Sequence, residues 1–444
     1  MRRMPRRIEQ KHFRIMGKRR KDLPFIEGLH ITTLAAEGKA MGKVDNQVVF
    51  VPMTVPGDVV DVQIRKHHRR FMEGVVVRYV EKSPLRVEHF CEHFGICGGC
   101  KWQNLPYEEQ LRFKTEQVHD QLSRIGKIEL PEVRPCLGSQ KQQFYRNKLE
   151  FTFADKRWLT YEEIAAGDSI ERTPALGFHI PNCFDKVLDI EKCYLQQEPS
   201  NAIRDEIKAF CIEHGYSFHN ARAHEGLMRT MVIRTASTGE VMVIVVFNEN
   251  DKERINALMS YLQREFPEIT ALIYMVNDKW NDSLGDREPI CFAGKDHIIE
   301  EMEGLKFKVG PKSFYQTNSE QAYELYKVTR DFAELTDDDV LYDLYTGTGT
   351  IANFCARRAK KVVGVEYVPE AIEDAKINSA LNGIDNTSFF AGDMKDVLSD
   401  DFVARNGRPD VIILDPPRAG VDERVIEVIL RAAPERMVYV SCNP

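Results

Sequence analysis

Residues 340–350 read VLYDLYTGTGT, an apolar strand that runs through Asp343 into a tight loop carrying Gly347 and Gly349. Glycine lets the backbone approach a ligand closely at the carboxyl end of a first strand. Two glycines alone are a weak signal. The next apolar run, 362–365, closes on Glu366, nineteen residues beyond Gly347. A carboxylate at that distance is placed to bind ribose hydroxyls. Outward from this pair, apolar runs at 340–344, 362–365, 387–390, 411–414 and 436–440 are mostly separated by helical patterns. That rhythm predicts an α/β fold with a doubly wound, Rossmann-like parallel sheet. A dinucleotide fold needs a third glycine to seat a pyrophosphate at the helix N-terminus, and here it is missing. Asp343 faces a cationic or amino-bearing ligand instead, which suits the sulfonium and amino group of S-adenosylmethionine. Asp393, after 387–390, stands where an adenine-binding residue is expected; it equally suits a helix cap.

Two motifs end the following strands and so sit at the carboxyl edge beside the cofactor. They are Asp415-Pro416-Pro417-Arg418 and Ser441-Cys442-Asn443-Pro444. Asp-Pro-Pro before an aromatic residue suggests amino methylation of a stacked base, but Arg418 removes the stacking partner. Cys442 offers another route. Carbon 5 of a pyrimidine is a poor nucleophile until a thiolate adds to carbon 6, after which the ring takes a methyl group as an enolate and then loses its carbon-5 proton to a base. An isolated strand cysteine is more often inert core; a strand-end cysteine followed by Asn-Pro at the active edge reads as the nucleophile.

The rest of the chain is organised differently. At 444 residues it exceeds what one hydrophobic core serves, so two or three domains are expected. No apolar run reaches the roughly 18 residues of a membrane span; runs such as Val241–Phe247 read as buried strand. Net charge is −7, yet residues 1–22 hold ten Lys or Arg against Glu9 and Asp22. This is a phosphate-seeking arm or a solvated tail. It lacks the apolar core of a secretory signal, while an organellar transit peptide stays open. Residues 23–82 alternate in the manner of short barrel strands, with the basic RKHHRR (65–70) between two of them. That loop is a nucleic-acid backbone clamp or a solvated hairpin tip. Residues 83–310 mix strands with amphipathic helices, one of them at 107–125. Cys91, Cys97 and Cys100 form C-x5-C-x2-C in CEHFGICGGC, a metal or iron–sulfur pattern for which zinc is an alternative. Spacing does not choose a fourth ligand among Cys136, Cys183 and Cys193, and His93 is a further donor.

FYQTN (314–318), the 343–350 loop, DPPRAG (415–420) and SCNP (441–444) together resemble the RNA 5-methyluridine methyltransferases, most closely the bacterial 23S rRNA uracil-5 branch. The resemblance spans almost the whole chain. It implies an S-adenosylmethionine-dependent enzyme with Cys442 as nucleophile and Asp415 at the target uracil or cofactor. It implies a cofactor site lined by Gln316, Tyr345, Gly347, Thr350, Glu366 and Asp393, although Tyr345 and Thr350 differ from the residues most expected there. It also implies a [4Fe-4S] cluster on Cys91, Cys97, Cys100 and Cys193. Residues 23–82 become a TRAM domain (an OB-like RNA-binding barrel), 83–310 a central α+β domain with the cluster loop, and 311–444 the methyltransferase domain. Tyr145-Arg146-Asn147-Lys148 matches a segment near the RNA; an ordinary charged surface strand is the bland reading. The expected partner is 23S rRNA, with tRNA second; the expected protein is monomeric and cytoplasmic. A non-catalytic RNA-binding protein is the reading from another class. The family places its general base, a glutamate, beyond Ser-Cys-Asn-Pro. With the chain ending at Pro444, the expectation is a methyltransferase sheet lacking its last strands, with an exposed edge after 436–440.

Overall fold

The computed structural model describes residues 23–167, 170 and 172–442; the basic stretch 1–22, and Asn443 and Pro444 of the Ser-Cys-Asn-Pro motif, lie outside them. The chain forms two compact units, one of residues up to 90 with 101–120 and 131–136, the other of 91–100, 121–130 and 137 onward.

In the first unit, β1 (Phe25–Leu34), β2 (Lys39–Val44), β3 (Gln47–Pro52), β4 (Val59–His67) and β5 (Phe71–Glu81) close into a barrel in the order β1-β2-β3-β5-β4. Period-two alternation turns Val49, Val51, Val60, Val62 and Ile64 inward. The fully buried Asp58 accepts from Nε and Nη2 of Arg86, at 2.8 and 2.6 Å, and from the amides of Val55 and Ser83. RKHHRR extends β4 through His67 and then turns, with His68 stacked on Phe71 at 4.3 Å. Helix α1 (Tyr107–Asp120) adds Phe113 to this core. Gln121–Ile125, which belongs to the second unit, is a short π-helix.

The second unit opens with a seven-stranded sheet. Its strands are β6 (Lys148–Ala154), β7 (Ala175–His179), β8 (Val187–Asp189), β9 (Met228–Thr235), β10 (Val241–Phe247), β11 (Ile269–Val276) and β12 (Ile290–Gly294), in the order β12-β11-β10-β9-β6-β7-β8. Helices α2 (Tyr161–Ala166), α3 (Ser200–Glu213) and α4 (Lys252–Glu265) belong to this part. Strand β10 explains why VMVIVVF is apolar throughout. Val241, Val243, Val245 and Phe247 face a core shared with α3 and α4, while Met242, Ile244 and Val246 face a second core. That second core includes the hairpin β13 (Ile298–Met302) and β14 (Leu305–Val309), helix α5 (Ser319–Ala333) and the last sheet.

The last sheet comprises β15 (Val340–Leu344), β16 (Lys361–Glu366), β17 (Thr387–Ala391), β18 (Val411–Leu414) and β19 (Arg436–Tyr439). All neighbours are parallel, in the order β17-β16-β15-β18-β19. The connecting helices are α6 (Thr350–Ala356), α7 (Pro369–Leu381), α8 (Met394–Val397), α9 (Asp400–Asn406) and α10 (Glu423–Ala432). All five expected strands are present, and β19 is an edge of the sheet. Strand order reverses between β15 and β18, so the crevice outside their carboxyl ends is the place such a sheet binds its ligand.

Candidate active site at the carboxyl edge of the last sheet

The loop after β15 turns through three residues in the left-handed region: Tyr345 (φ 67°), Gly347 (φ 55°) and Gly349 (φ 72°). The two glycines serve different ends. A Cβ on Gly347 would meet nothing within 4 Å, which leaves open space above the loop. One on Gly349 would lie 2.8 Å from Cβ of Ala375 and 3.1 Å from the Phe389 ring, so that glycine lets α6 pack against α7 and β17. Tyr345, whose side chain L-geometry disfavours this conformation by about 1–2 kcal/mol, is held by its amide donating to Val365 O at 2.9 Å.

Asp343 lies fully buried beneath the loop. Its Oδ2 accepts from Thr346 Oγ1 at 2.5 Å; the Ala352 amide also favours the carboxylate, though Oδ1 has no partner at full hydrogen-bond geometry among the described residues. Burial pushes its pKa up to about 7, and the charges of Asp415 and Glu366 push the same way. Asp415, one residue past β18, is raised by burial to about 6. Asp343, Asp415 and Glu366 thus converge on one edge of the sheet. Glu366 is partly engaged already: Oε2 accepts from Gly347 N at 3.1 Å and Oε1 from Val368 N at 3.0 Å. A buried acceptor without a full hydrogen bond, crowded carboxylates and an open glycine loop fit the positively charged S-adenosylmethionine.

The other expected cofactor residues are placed less directly. Thr350 is buried at the start of α6, 3.3 Å from Thr348 Oγ1. Asp393 caps α8, accepting from Lys395 N at 3.3 Å and pairing with Lys395 Nζ at 2.7 Å. Gln316 stands before α5, its carbonyl accepting from Asn147 Nδ2 at 2.8 Å. Cys442 is exposed and follows β19, whose Tyr439 is in register with Leu414. The next amide, Val440 N, donates to Leu414 O at 2.7 Å, so Cys442 and Asp415 leave adjacent strands at the same edge.

Arg234 was not singled out in the sequence, and Asn147 was read there only as part of a segment near the RNA. Asn147 donates to Gln316 O and Ser319 Oγ, each at 2.8 Å, and ties the YRNK segment to the segment before α5. Arg234 is buried, donates to Ser313 O at 2.7 Å and has its pKa lowered by burial to about 10. Its charge, after burial, also lowers the pKa of Lys148. The available signal was an arginine in a strand, MRTMVIRT, that is buried at all but its last residue.

The cysteine loop is docked by Gly98 N donating to His179 O at 3.1 Å and Glu191 N donating to His93 Nε2 at 3.0 Å. A Cβ on Gly98 would fall 2.6 Å from that carbonyl. Cys193 is buried and locked by Asn201, which accepts from its amide at 2.8 Å and donates to its carbonyl at 3.2 Å. Burial raises the Cys193 thiol to about 11, with the Cys100 and Cys97 charges adding to it. Cys100 likewise acts on Cys91, whose pKa burial raises. Cys100 is thus within electrostatic reach of Cys91 and Cys193, and Cys97 of Cys193. Among the described residues, however, no group of three or more His, Cys, Asp or Glu is arranged to hold a metal ion, so the expected iron–sulfur site is not seen as such.

Comparison with known proteins gives the site its family. Residues 294–444 match the tRNA (uracil-5-)-methyltransferase family model, and residues 27–77 match the TRAM domain. A protein from Bacteroides thetaiotaomicron named as an uncharacterized RNA methyltransferase is 58% identical over 414 residues, 93% of this chain and 91% of that protein. One of the same name from Porphyromonas gingivalis is 56% identical over 421 residues, covering 94% and 90%. Among solved structures, the Pyrococcus abyssi tRNA (uracil-54, C5)-methyltransferase in complex with S-adenosyl-L-homocysteine is similar, with 28% identity and a TM-score of 0.71. The match covers 94% of this chain and 91% of that one. With a TRAM barrel, a parallel cofactor sheet and relatives of this identity, the chain belongs to the S-adenosylmethionine-dependent RNA (uracil-5-)-methyltransferases.

Proposed function

We propose that this enzyme methylates carbon 5 of a uridine in 23S rRNA through a covalent adduct on Cys442. The observation that carries this reading is the convergence of Asp343, Asp415 and Cys442 on adjacent strand ends. S-adenosylmethionine, when bound, supplies the methyl group as an electrophile. The chain's own residues do the rest. The Cys442 thiolate adds to carbon 6 of a flipped-out uracil, and the C5–C6 π electrons move onto the ring as an enolate. Carbon 5 then takes the methyl group, loses its proton to a base, and the C6–S bond breaks to release the cysteine. Asp415 holds the base or the cofactor at the mouth of the crevice. Gln316, Tyr345, Gly347, Thr350, Glu366 and Asp393 line the cofactor's place; Arg146 and Lys148, in the segment the resemblance places near the RNA, face its backbone.

A [4Fe-4S] cluster on Cys91, Cys97, Cys100 and Cys193 rests in this reading on the family resemblance alone, since among the described residues these thiols are not arranged to hold a metal ion. The protein acts as a cytoplasmic monomer. A tRNA substrate is the second reading, favoured by the uracil-54 tRNA enzyme of Pyrococcus abyssi.

The test is incubation with 5-fluorouridine-substituted 23S rRNA or tRNA, followed by denaturing gels. Fluorine cannot leave as a proton, so the adduct persists. A protein–RNA band that requires S-adenosylmethionine and vanishes in Cys442→Ala is expected with 23S rRNA; a band with tRNA alone moves the assignment to tRNA. No band with either, from folded and cofactor-binding protein, overturns the covalent route.

A further inference from the structure

Far along the chain from the cofactor motifs, the β6–β8 end of the seven-stranded sheet contains a cavity of about 710 Å³ that the methylation chemistry leaves unused. That size lies within the roughly 300–1,000 Å³ of small-ligand sites. Its lining includes two aromatic rings held out to solvent, Phe184 (68% exposed) and Trp280 (76% exposed). The two rings line one cavity rather than lying scattered on the surface. Both are braced from behind. Arg222 lies 5.8 Å from the Phe184 centroid. His224 stacks on Trp280 at 4.5 Å and 16°, and its Nε2 is 3.0 Å from Asp278 O. The Trp280 loop is pinned by Arg229, a fully interior cation that donates to the carbonyls of Asn277, Lys279 and Asn281 and pairs with Asp282 at 2.9 Å.

Two imidazoles, of His219 and His179, also line the cavity. His219 is 8% exposed, and its Nδ1 has no partner among the described residues; the same holds for Nδ1 of His179. The charge balance has a sign as well. Six lining side chains are Lys or Arg and three are Asp, in a protein whose net charge is −7. The three Asp are all engaged, with Asn220, Arg222 and Arg229. Lys156 and Arg172 are exposed and have no ion-pair partner among the described residues.

From these features we infer that the cavity is a second base-binding site, which takes an unpaired nucleobase of the substrate RNA other than the methylated uracil. The base stacks on Trp280 or Phe184, its edge meets the imidazoles of His219 and His179, and its phosphate meets Lys156 and Arg172. Every base has a π-face, which is why exposed aromatics beside cations serve single-stranded RNA. The inference rests on the family's RNA substrate and deepens it, by giving the enzyme a grip on a loop nucleotide in the second unit.

The test separates the two. Full-length protein saturated with S-adenosylhomocysteine, so that the adenine site is filled, is titrated with AMP and GMP while tryptophan fluorescence is followed. Saturable quenching that Trp280→Ala abolishes is expected. In methylation of the RNA the wild type uses, Trp280→Ala and Phe184→Ala should each raise KM on the order of tenfold with kcat unchanged, as base–aromatic stacking predicts. Both rings are exposed, so melting temperature should hold. Absence of saturable quenching overturns the inference, as does an unchanged KM in the double variant. So does a defect confined to ribosomal particles and missing on bare RNA, which marks a protein partner. Failure of the methylation reading shows elsewhere, in a wild type that forms no fluorouridine adduct.

Discussion

Replacing Asp343 by Asn separates what this carboxylate costs the fold from what it does for the cofactor. Burial, aided by the Asp415 and Glu366 charges, raises its pKa from 3.8 to about 7. A carboxyl whose native pKa is raised holds its proton more tightly folded than unfolded. Its stabilising contribution is complete below about pH 3.8 and is lost as pH rises through about 7. At about 1.4 kcal/mol per unit, the ionised group costs the fold on the order of 4 kcal/mol at about pH 8 relative to the protonated one, roughly 2.5 of it between about pH 5 and pH 8. Asn cannot ionise, though a buried amide without a full set of partners costs about 1–3 kcal/mol. Urea unfolding of the cofactor-free variant should therefore give a stability close to wild type near pH 5 and higher than wild type near pH 8. Calorimetry should show S-adenosylmethionine binding weakened by at least about tenfold, as a lost charge-assisted contact predicts. A variant whose stability tracks the wild type's over this range refutes the desolvated carboxylate. Undiminished cofactor affinity refutes its cation-facing role.

Three further outcomes follow from the same geometry. Because burial lifts Asp415 to about 6, kcat/KM should rise with pH through that value if its ionised form is needed, and Asp415→Asn should be slow and flat across it in a pH–rate series. Gly349→Ala puts a Cβ 2.8 Å from Ala375 at a left-handed φ, which should lower stability by about 1–3 kcal/mol in thermal melts. In the barrel, Arg86→Met strips the fully buried Asp58 of its cation and should cost about 3–5 kcal/mol by denaturant unfolding, where Arg86→Lys should recover part of it.

The sheet was legible because its strands are short, apolar and spaced by helices, and periodicity reads such segments well. Val241–Phe247 was legible as buried strand for the same reason; that its two faces serve two different cores was not, since an all-apolar run carries no record of which neighbour covers which side. The carboxyl-edge site was found through motifs that lie at strand ends. The contact made by Asn147, and Arg234 altogether, escaped because they depend on segments between about 80 and 170 residues away, and local pattern says nothing about such contacts. Asp393 shows the reverse problem: a cap and a cofactor contact look alike in sequence, and in the structure the cap is made. The cysteine loop was legible as a thiol cluster, but proximity in the fold falls short of a ligating arrangement.

The carboxylates explain why this edge should prefer a cation. Asp343 and Asp415 are both held above their ordinary range by burial, and Asp415 and Glu366 each raise Asp343 further. Bringing like charges together in a low-dielectric crevice is unfavourable unless a positive group is shared among them. S-adenosylmethionine brings two, the sulfonium and the ammonium, whereas S-adenosylhomocysteine keeps only the ammonium. After transfer the crevice therefore holds one positive charge fewer against the same carboxylates. Product should bind more weakly than donor at a pH where both Asp343 and Asp415 are ionised, and the gap should narrow as pH falls through about 7 and then 6. Parallel titrations of the two ligands across that range measure it directly. An affinity ratio that does not move with pH would mean that the carboxylates shape the loop without sensing the ligand's charge.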